Sequence, residues 1–207
     1  MNPVSSSAYP PGLYATSGRG KTSTRSDEVL ITSDSLKETD MQTVRELHSE
    51  WFPLTYDEDF YSSVSAGLVE TEVARNREQQ IIGLAIFRTR PLAQLPGCED
   101  FPQMPRDAEV GYLMTLGVVE EWRGRGVGRR LLERVERKLH VSSGLLYLHV
   151  VVYNEAAISL YRKMGFQQIS RKSEFYQIHK IYYDAITLAR QLPTRPASLF
   201  SRCLNFL

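Results

Sequence analysis

The run Leu116-Gly117-Val118-Val119-Glu120-Glu121-Trp122-Arg123-Gly124-Arg125-Gly126-Val127-Gly128 decides how the chain is read. It joins two different patterns. Before it, Glu109 to Val119 is an apolar run of strand length, and after it Val127, Leu131, Leu132, Val135 and Leu139 recur at helical intervals along one buried face. The turn between them, Glu120 to Gly126, ends in the pattern Arg-x-x-Gly-x-Gly starting at Arg123. Glycines let the backbone approach a ligand closely, and the first free N–H groups of a helix, at the positive end of its dipole, form a ready anion site. A pyrophosphate fits there, and Arg123, Arg125, Arg129 and Arg130 add positive charge around the same point. On the motif alone, a tight turn with solvated arginines is an equal alternative. The glycine spacing does not suit a dinucleotide fingerprint or a P-loop, since Gly-x-Gly-x-x-Gly is absent and no Gly-Lys-Ser/Thr follows.

On the N-terminal side, residues 1–28 are rich in Ser, Thr, Gly and Pro and carry too little apolar surface to offset ordering entropy, so a disordered tail is expected. A short apolar run at Val29 to Thr32 follows. Thr39 to Trp51 places Met41, Val44, Leu47 and Trp51 at helical intervals, with Thr39 or Asp40 as the cap and Pro53 as the stop. Leu68 to Ala74 and Gln80 to Arg88 read as an antiparallel hairpin around Asn76-Arg77-Glu78-Gln79, and a Pro-rich loop from Pro91 to Arg106 comes next. On the C-terminal side, Leu145 to Val152 is the continuous apolar run of a strand covered on both faces. Asn154 caps a short helix bearing Ala157, Ile158 and Tyr161, which Gly165 closes. Phe175 to Leu192 supplies a closing hairpin. The expected fold is α/β, an α+β mixed sheet with helices on both faces, in one domain spanning residues 29–192.

Composition sets the remaining bounds. Hydrophobic residues make up 42% and charged residues 24% of the 207, which is ordinary for a globular protein. Lys and Arg number 25 against 24 acidic residues, so net charge makes no case for nucleic-acid binding, and no nucleic-acid partner is expected. The two cysteines, Cys98 and Cys203, lack the spacing of a disulfide framework or a zinc site, which points to a reducing compartment and no metal. The start lacks the apolar core of a secretory signal, and a cytoplasmic location is expected.

The Leu116–Gly128 segment resembles the coenzyme-A-binding segment of GNAT acetyltransferases. A second block, Asn154-Glu155-Ala156-Ala157-Ile158-Ser159-Leu160-Tyr161-Arg162-Lys163-Met164-Gly165-Phe166, resembles the later helix of that family, which flanks the coenzyme. Finer features, Trp51-Phe52-Pro53-Leu54-Thr55-Tyr56, Gly111 to Val119 and Leu146-Tyr147-Leu148-His149-Val150, resemble N-terminal acetyltransferases of the NatF type, and NatE-type catalytic subunits share much of the pattern. The resemblance implies the GNAT acyl-CoA N-acyltransferase fold, acetyl-CoA as cosubstrate and transfer of acetyl to the N-terminal amine of peptides or proteins, Met-starting ones included. It implies coenzyme contacts at Leu116, Val118, Arg123, Gly124, Arg125, Gly126, Val127, Gly128, Asn154 and Tyr161. Phe52, Pro53, Leu54 and Tyr56 would line the pocket for the first residue of the peptide, and Tyr176 would cover its backbone. Tyr112 and His149 would handle the amine proton.

An α-amino group with a pKa near 7.7 to 8.0 is partly protonated at neutral pH and must lose a proton before it attacks a thioester. His149 has a suitable intrinsic pKa and could act with Tyr112 through an ordered water if both side chains face one cleft. The competing readings are a hydrogen-bonded core histidine and a strand tyrosine buried for packing. A backbone N–H at a strand irregularity near Leu116 would stabilise the thioester oxygen as it gains charge. Asn154 as a cap and Tyr161 as a packing residue are likewise open, and Tyr182 and Tyr183 lie in the hairpin whose aromatic residues cover the peptide backbone in the resembling family, while their alternating pattern is equally that of sheet packing. A protein lysine (histone) acetyltransferase and a non-catalytic coenzyme-binding module remain as alternatives, and the chain is expected to be a monomer. From residue 193 the chain forms a C-terminal amphipathic tail in which Leu199, Phe200, Cys203, Leu204, Phe206 and Leu207 are dense enough for an apolar stripe. That stripe either packs on the domain or lies in a membrane interface, and the resemblance to Golgi-associated NatF proteins implies peripheral contact on the cytosolic face.

Overall fold

Leu116 and its neighbours form the middle strand of a seven-stranded mixed sheet. The computed structural model describes residues 30–32, 36–139 and 144–193; the N-terminal tail and the apolar stripe from Leu199 to Leu207 lie outside the described residues. In chain order the elements are β1 (Leu30–Thr32), α1 (Met41–Trp51), α2 (Glu58–Ser65), β2 (Glu70–Arg75), β3 (Ile81–Pro91), β4 (Glu109–Val118), α3 (Val127–Lys138), β5 (Leu145–Val151), α4 (Glu155–Lys163), β6 (Gln167–Ile178) and β7 (Ile181–Gln191). The strands lie in the order β1-β2-β3-β4-β5-β7-β6. Every neighbouring pair is antiparallel except β4 and β5, which run parallel because α3 carries the chain back between them.

Each face of the sheet has its own apolar layer. Val44, Trp51, Phe52, Phe60 and Val64 of the α1–α2 segment pack on one face, and Val127, Leu131, Leu132, Val135, Ala157, Ile158 and Tyr161 of α3 and α4 pack on the other. On β4, Val110, Tyr112 and Met114 belong to the α1–α2 layer, while Leu113, Leu116 and Val118 belong to the α3–α4 layer. That alternation changes phase at a bulge: Leu113 pairs with Phe87 and Thr115 with Ile86, leaving Met114 as the extra residue.

Several local expectations need correction. Asp40 does not cap α1. Its carboxylate takes the Lys37 N–H at 2.9 Å and the Arg75 guanidinium at 2.9 Å, tying a preceding 3-10 turn to β2. Leu47 is only half-buried, and His48 occupies the fully buried place in the stripe. Helix α2 was not anticipated, although its signals are local: Asp57 accepts the Phe60 N–H at 2.8 Å, and Phe60, Tyr61 and Val64 supply the apolar face. Leu68 precedes β2 and is exposed. The last hairpin begins at Gln167 rather than Phe175, because the first half of β6 is polar and edge-exposed and so lacks an apolar alternation. Its turn is His179-Lys180, with φ of 48° and 66°, the positive values a two-residue hairpin requires.

His48 sits among the rings of Trp51, Phe52, Tyr56, Phe60 and Tyr61, with centroids 5.1 to 6.4 Å away. Neither ring nitrogen has a hydrogen-bond partner among the described residues, and burial pushes its pKa down to about 3. The folded-state value lies below the ordinary one, so the stability owed to neutral His48 is present above pH 6.5 and is lost as pH falls toward 3. Urea denaturation at pH 7 and pH 5 should show the wild type losing about 2 kcal/mol more than a His48→Phe variant, and equal losses would contradict the assignment. Gly117 gives a second prediction. A Cβ at that position would stand 2.0 Å from the Trp51 ring, so Gly117→Ala should lower stability by about 1–3 kcal/mol, read as a reduced denaturant midpoint at unchanged slope.

Candidate active site

The turn from Arg123 to Gly128 is built by its glycines. Gly124 and Gly126 have φ of 71° and 79°, in the left-handed region, and no heavy atom lies within 4 Å of where a Cβ would stand on either. Gly126 is also the N-cap of α3, and among the described residues no side chain makes a capping hydrogen bond to that terminus. The arginines are not equivalent. Arg123 donates from Nε to the Val118 carbonyl at 2.9 Å and braces the turn; Arg125 lies over the Trp122 ring at 5.1 Å; Arg129 pairs with Glu133 at 2.8 Å on the exposed side. Val127 and Gly128 are buried beneath the turn, so their contribution to an anion is main-chain N–H.

Beyond the turn, β4 and β5 are paired only at Gly111–Leu146 and Tyr112–Tyr147. Both strands continue, to Val118 and Val151, without further pairing between them. Between the two strands, the β4 main chain from Leu113 onward therefore lacks a strand neighbour on the β5 side. The side chains of Leu116 and Val118 point into the α3–α4 layer, so only their backbone groups line this gap. Asn154 is committed as a cap, its Oδ1 accepting the Ala157 N–H at 3.1 Å. Tyr161 is buried in the α3–α4 layer with its ring 5.6 Å from Phe166. An extended, amide-bearing chain with a phosphate end fits this arrangement: open N–H groups at α3 for the phosphate, and free strand backbone for the amides.

Tyr112 and His149 project from β4 and β5 into the same layer, where the Tyr112 hydroxyl lies 3.2 Å from His149 Nδ1. Both side chains are fully buried. Burial holds the Tyr112 phenol well above its ordinary pKa and pushes His149 down to about 4; the carboxylates of Asp100 and Glu99 oppose that fall, and Lys172 adds to it. At neutral pH the imidazole is therefore uncharged, and with its proton on Nε2 it accepts the tyrosine O–H at Nδ1.

The Pro-rich segment from Pro91 to Arg106 forms a strap that covers the other edge of the imidazole. A Cβ on Gly97 would stand 2.5 Å from His149 Nε2, and Gly97 has φ of 75°. The strap is tied down on both sides of that contact. Tyr147 donates to the Pro96 carbonyl at 2.8 Å, Thr187 donates to Asp100 at 2.7 Å, and Lys172 pairs with Asp100 at 2.8 Å and with Glu99.

Of the residues expected to line the first-residue pocket, Phe52 and Tyr56 are buried, Leu54 is half-buried and Pro53 is exposed in the turn between α1 and α2. Tyr176 is buried on the same layer, and its phenol is kept protonated by burial and by the neighbouring Tyr112, Tyr56 and Tyr161. The hydroxyls of Tyr56, Tyr176 and Thr115 are buried with no hydrogen-bond partner among the described residues. Tyr56 and Tyr176 lie within electrostatic reach of Tyr112, and because unpaired buried polar groups cost free energy, these two hydroxyls beside it mark a place shaped for a polar ligand. Tyr183 packs at 5.2 Å on Tyr153, in keeping with sheet packing, whereas Tyr182 is exposed and does not.

Comparison with known proteins agrees with this geometry. An N-alpha-acetyltransferase 60 of Xenopus tropicalis is 31% identical over 157 residues, covering 72% of this chain and 64% of that protein. The histone acetyltransferase MCC1 of Arabidopsis thaliana is 29% identical over 160 residues, covering 70% of this chain and 64% of that protein. The chain thus spans just under two-thirds of the length of these curated relatives. A crystal structure of Arabidopsis thaliana NAA60 in complex with a bisubstrate analogue superposes with a TM-score of 0.72 at 24% identity, covering 81% of this chain and 100% of that one. The same protein in complex with acetyl-CoA superposes with a TM-score of 0.68 at 25% identity, covering 79% and 98%. The model of the acetyltransferase (GNAT) family matches residues 40–166, which run from the start of α1 to the end of α4 and hold the glycine turn, the parted strands and the Tyr112–His149 pair. With that match over more than half its length, the chain belongs to the GNAT acetyltransferase family.

Proposed function

We propose that the chain is an acetyl-CoA-dependent N-alpha-acetyltransferase that moves the acetyl group to the N-terminal amine of a peptide or protein. The observation that carries this reading is the buried Tyr112–His149 pair, 3.2 Å apart, at the point where β4 and β5 part and facing the unpartnered hydroxyls of Tyr56 and Tyr176. The first-turn N–H groups of α3 hold the diphosphate of acetyl-CoA, with Arg125 adding charge. The freed β4 backbone binds the pantetheine amides, and the N–H of Leu116 stabilises the thioester oxygen as it gains charge. Phe52, Leu54 and Tyr56 enclose the first side chain of the acceptor, and Tyr176 closes over its backbone.

The bond chemistry is a simple exchange: the amine nitrogen forms the new C–N bond, and the C–S bond breaks to release coenzyme thiolate. Once attack has begun, the nitrogen is an ammonium beside an oxyanion and is a stronger acid than the free amine. A neutral imidazole with a pKa near 4 can take that proton through the Tyr112 hydroxyl, which passes its own proton to Nδ1 as it receives the one from the nitrogen. In this reading the Tyr161 hydroxyl approaches the departing sulfur.

A lysine acetyltransferase is the second reading, favoured by the similarity to a protein named histone acetyltransferase. Initial rates on peptides starting Met-Lys, Met-Ala or Met-Val, set against an N-terminally blocked lysine peptide, separate the two. The free N-termini should react and the blocked peptide should not; reaction of the blocked peptide alone would establish the second reading. Tyr112→Phe and His149→Ala should each lower kcat on the order of a hundred-fold with acetyl-CoA affinity retained, and wild-type turnover in both would defeat the assignment. A peripheral membrane contact through the stripe from Leu199 to Leu207 belongs to the same proposal. Removing residues 196–207 should lower recovery of the tagged protein with membranes, and unchanged recovery would remove it.

A further inference from the structure

Phe175 lies face to face with the His149 imidazole, with ring centroids 4.5 Å apart and planes inclined by 20°. It reaches that position through a break in strand register. Lys172 pairs with Ala185 and Tyr176 with Tyr183, so Ser173, Glu174 and Phe175 stand opposite Asp184 alone. Glu174 has φ of 52°, a conformation that side-chain-bearing residues rarely adopt, and its N–H is held by Asp184 Oδ1 at 3.1 Å. The consequence is directional. Regular alternation would send one of two consecutive residues outward, yet Phe175 and Tyr176 both pack on the α1–α2 layer. Local backbone strain of this kind persists where the surrounding structure enforces it, and here it delivers an aromatic face onto the imidazole.

The other approaches to the ring are already occupied. Tyr112 meets Nδ1, the Gly97 backbone blocks Nε2, and Tyr147 stands 6.0 Å away with its ring nearly perpendicular. We propose that Phe175 is a positioning residue that pins the His149 imidazole, face on, in the orientation that keeps Nδ1 on the Tyr112 hydroxyl and seals the ring from water. This rests on the reading of His149 as the proton acceptor, and it concerns a residue that the sequence motifs pass over in favour of Tyr176.

The charged and titratable groups around the imidazole are Asp100 and Glu99 of the strap, Lys172 of β6, Tyr112 of β4 and Tyr147 of β5. Asp100 and Glu99 favour the imidazolium, Lys172 opposes it, and burial outweighs both, holding the group near 4. An aromatic face by itself also favours a cation, but its loss would admit water, and burial is the larger cause. Removing the Phe175 ring should therefore move His149 upward, toward its ordinary 6.5.

The test is a proton and nitrogen NMR titration of the histidine rings in the full chain, with His149 assigned by its absence in His149→Gln, beside steady-state kinetics on a Met-starting peptide. In Phe175→Leu the His149 midpoint should rise by about one pH unit or more. The same variant should lose about 10-fold in kcat, with an acid limb displaced to higher pH and little change in KM for acetyl-CoA. Phe175→Tyr, which keeps the ring face, should restore both. If circular dichroism shows that Phe175→Leu does not fold, Phe175→Met, of similar volume and without a ring, carries the same comparison. An unmoved His149 midpoint and Nδ1 shift in the folded variant overturns the positioning role even where the wild type acetylates peptides. A moved midpoint in a protein that acetylates no N-terminus leaves the positioning role standing and removes the functional reading instead.

Discussion

Strands β4 and β5 are paired in register only at Gly111–Leu146 and Tyr112–Tyr147, and the site depends on their parting beyond that point. A parallel pair inside a buried sheet ordinarily continues its ladder, because unpaired backbone groups away from water are costly. Here the bulge at Met114 changes the phase of β4, and the chain leaves through Gly117, Val118 and the glycine turn instead of following β5. Backbone groups left open in this way are the complement of an extended amide-bearing chain. The same parting brings Tyr112 and His149 together at its closed end, where neither side chain meets bulk water.

Burial then sets the chemistry. It holds the tyrosine proton on and the imidazole proton off, so at neutral pH the pair is an uncharged donor and acceptor. An imidazole of this kind is a weak base toward a free ammonium, but it is matched to the acidic nitrogen that appears once a thioester has been attacked. The strap through Gly97 and the ring of Phe175 enclose the imidazole on two further sides, while the Asp100 and Glu99 carboxylates are partly offset by the Lys172 ammonium. Packing on the opposite wall follows the same logic. Trp51 lies so close to Gly117 that only a glycine fits, and this contact places the α1–α2 segment, with Phe52 and Tyr56, over the parted strands.

Much of this was legible in the residues. The strand, turn and helix around Arg123 to Gly128, the cap at Asn154, the hairpin of β2 and β3 and the pairing of Tyr112 with His149 all emerge as read, the last by family resemblance rather than by pattern. A motif names a residue type but not what its side chain touches: Pro53 is exposed, and Arg123 braces the turn from within. The polar half of β6 and helix α2 escaped for opposite reasons. One is an exposed edge whose sequence does not alternate, and the other is an eight-residue helix in a segment that its flanking proline made look like a loop.

By itself the sequence determined the local conformations: periodicity, turn glycines and caps act over a few residues and need no partner from elsewhere in the chain. It also determined the two-layer core, because apolar faces at helical and strand intervals must be covered. Only the tertiary structure decided which distant groups meet. Tyr112 and His149 are 37 residues apart, and Asp100 and Thr187 are 87 apart. Their contact is a product of strand order and register, which depend on all seven strands assembling together. The positions of Gly97 and Phe175 against the imidazole were decided in the same way: a loop and a strained bulge carry no periodicity to read, and their meaning appears only when β5 lies between them.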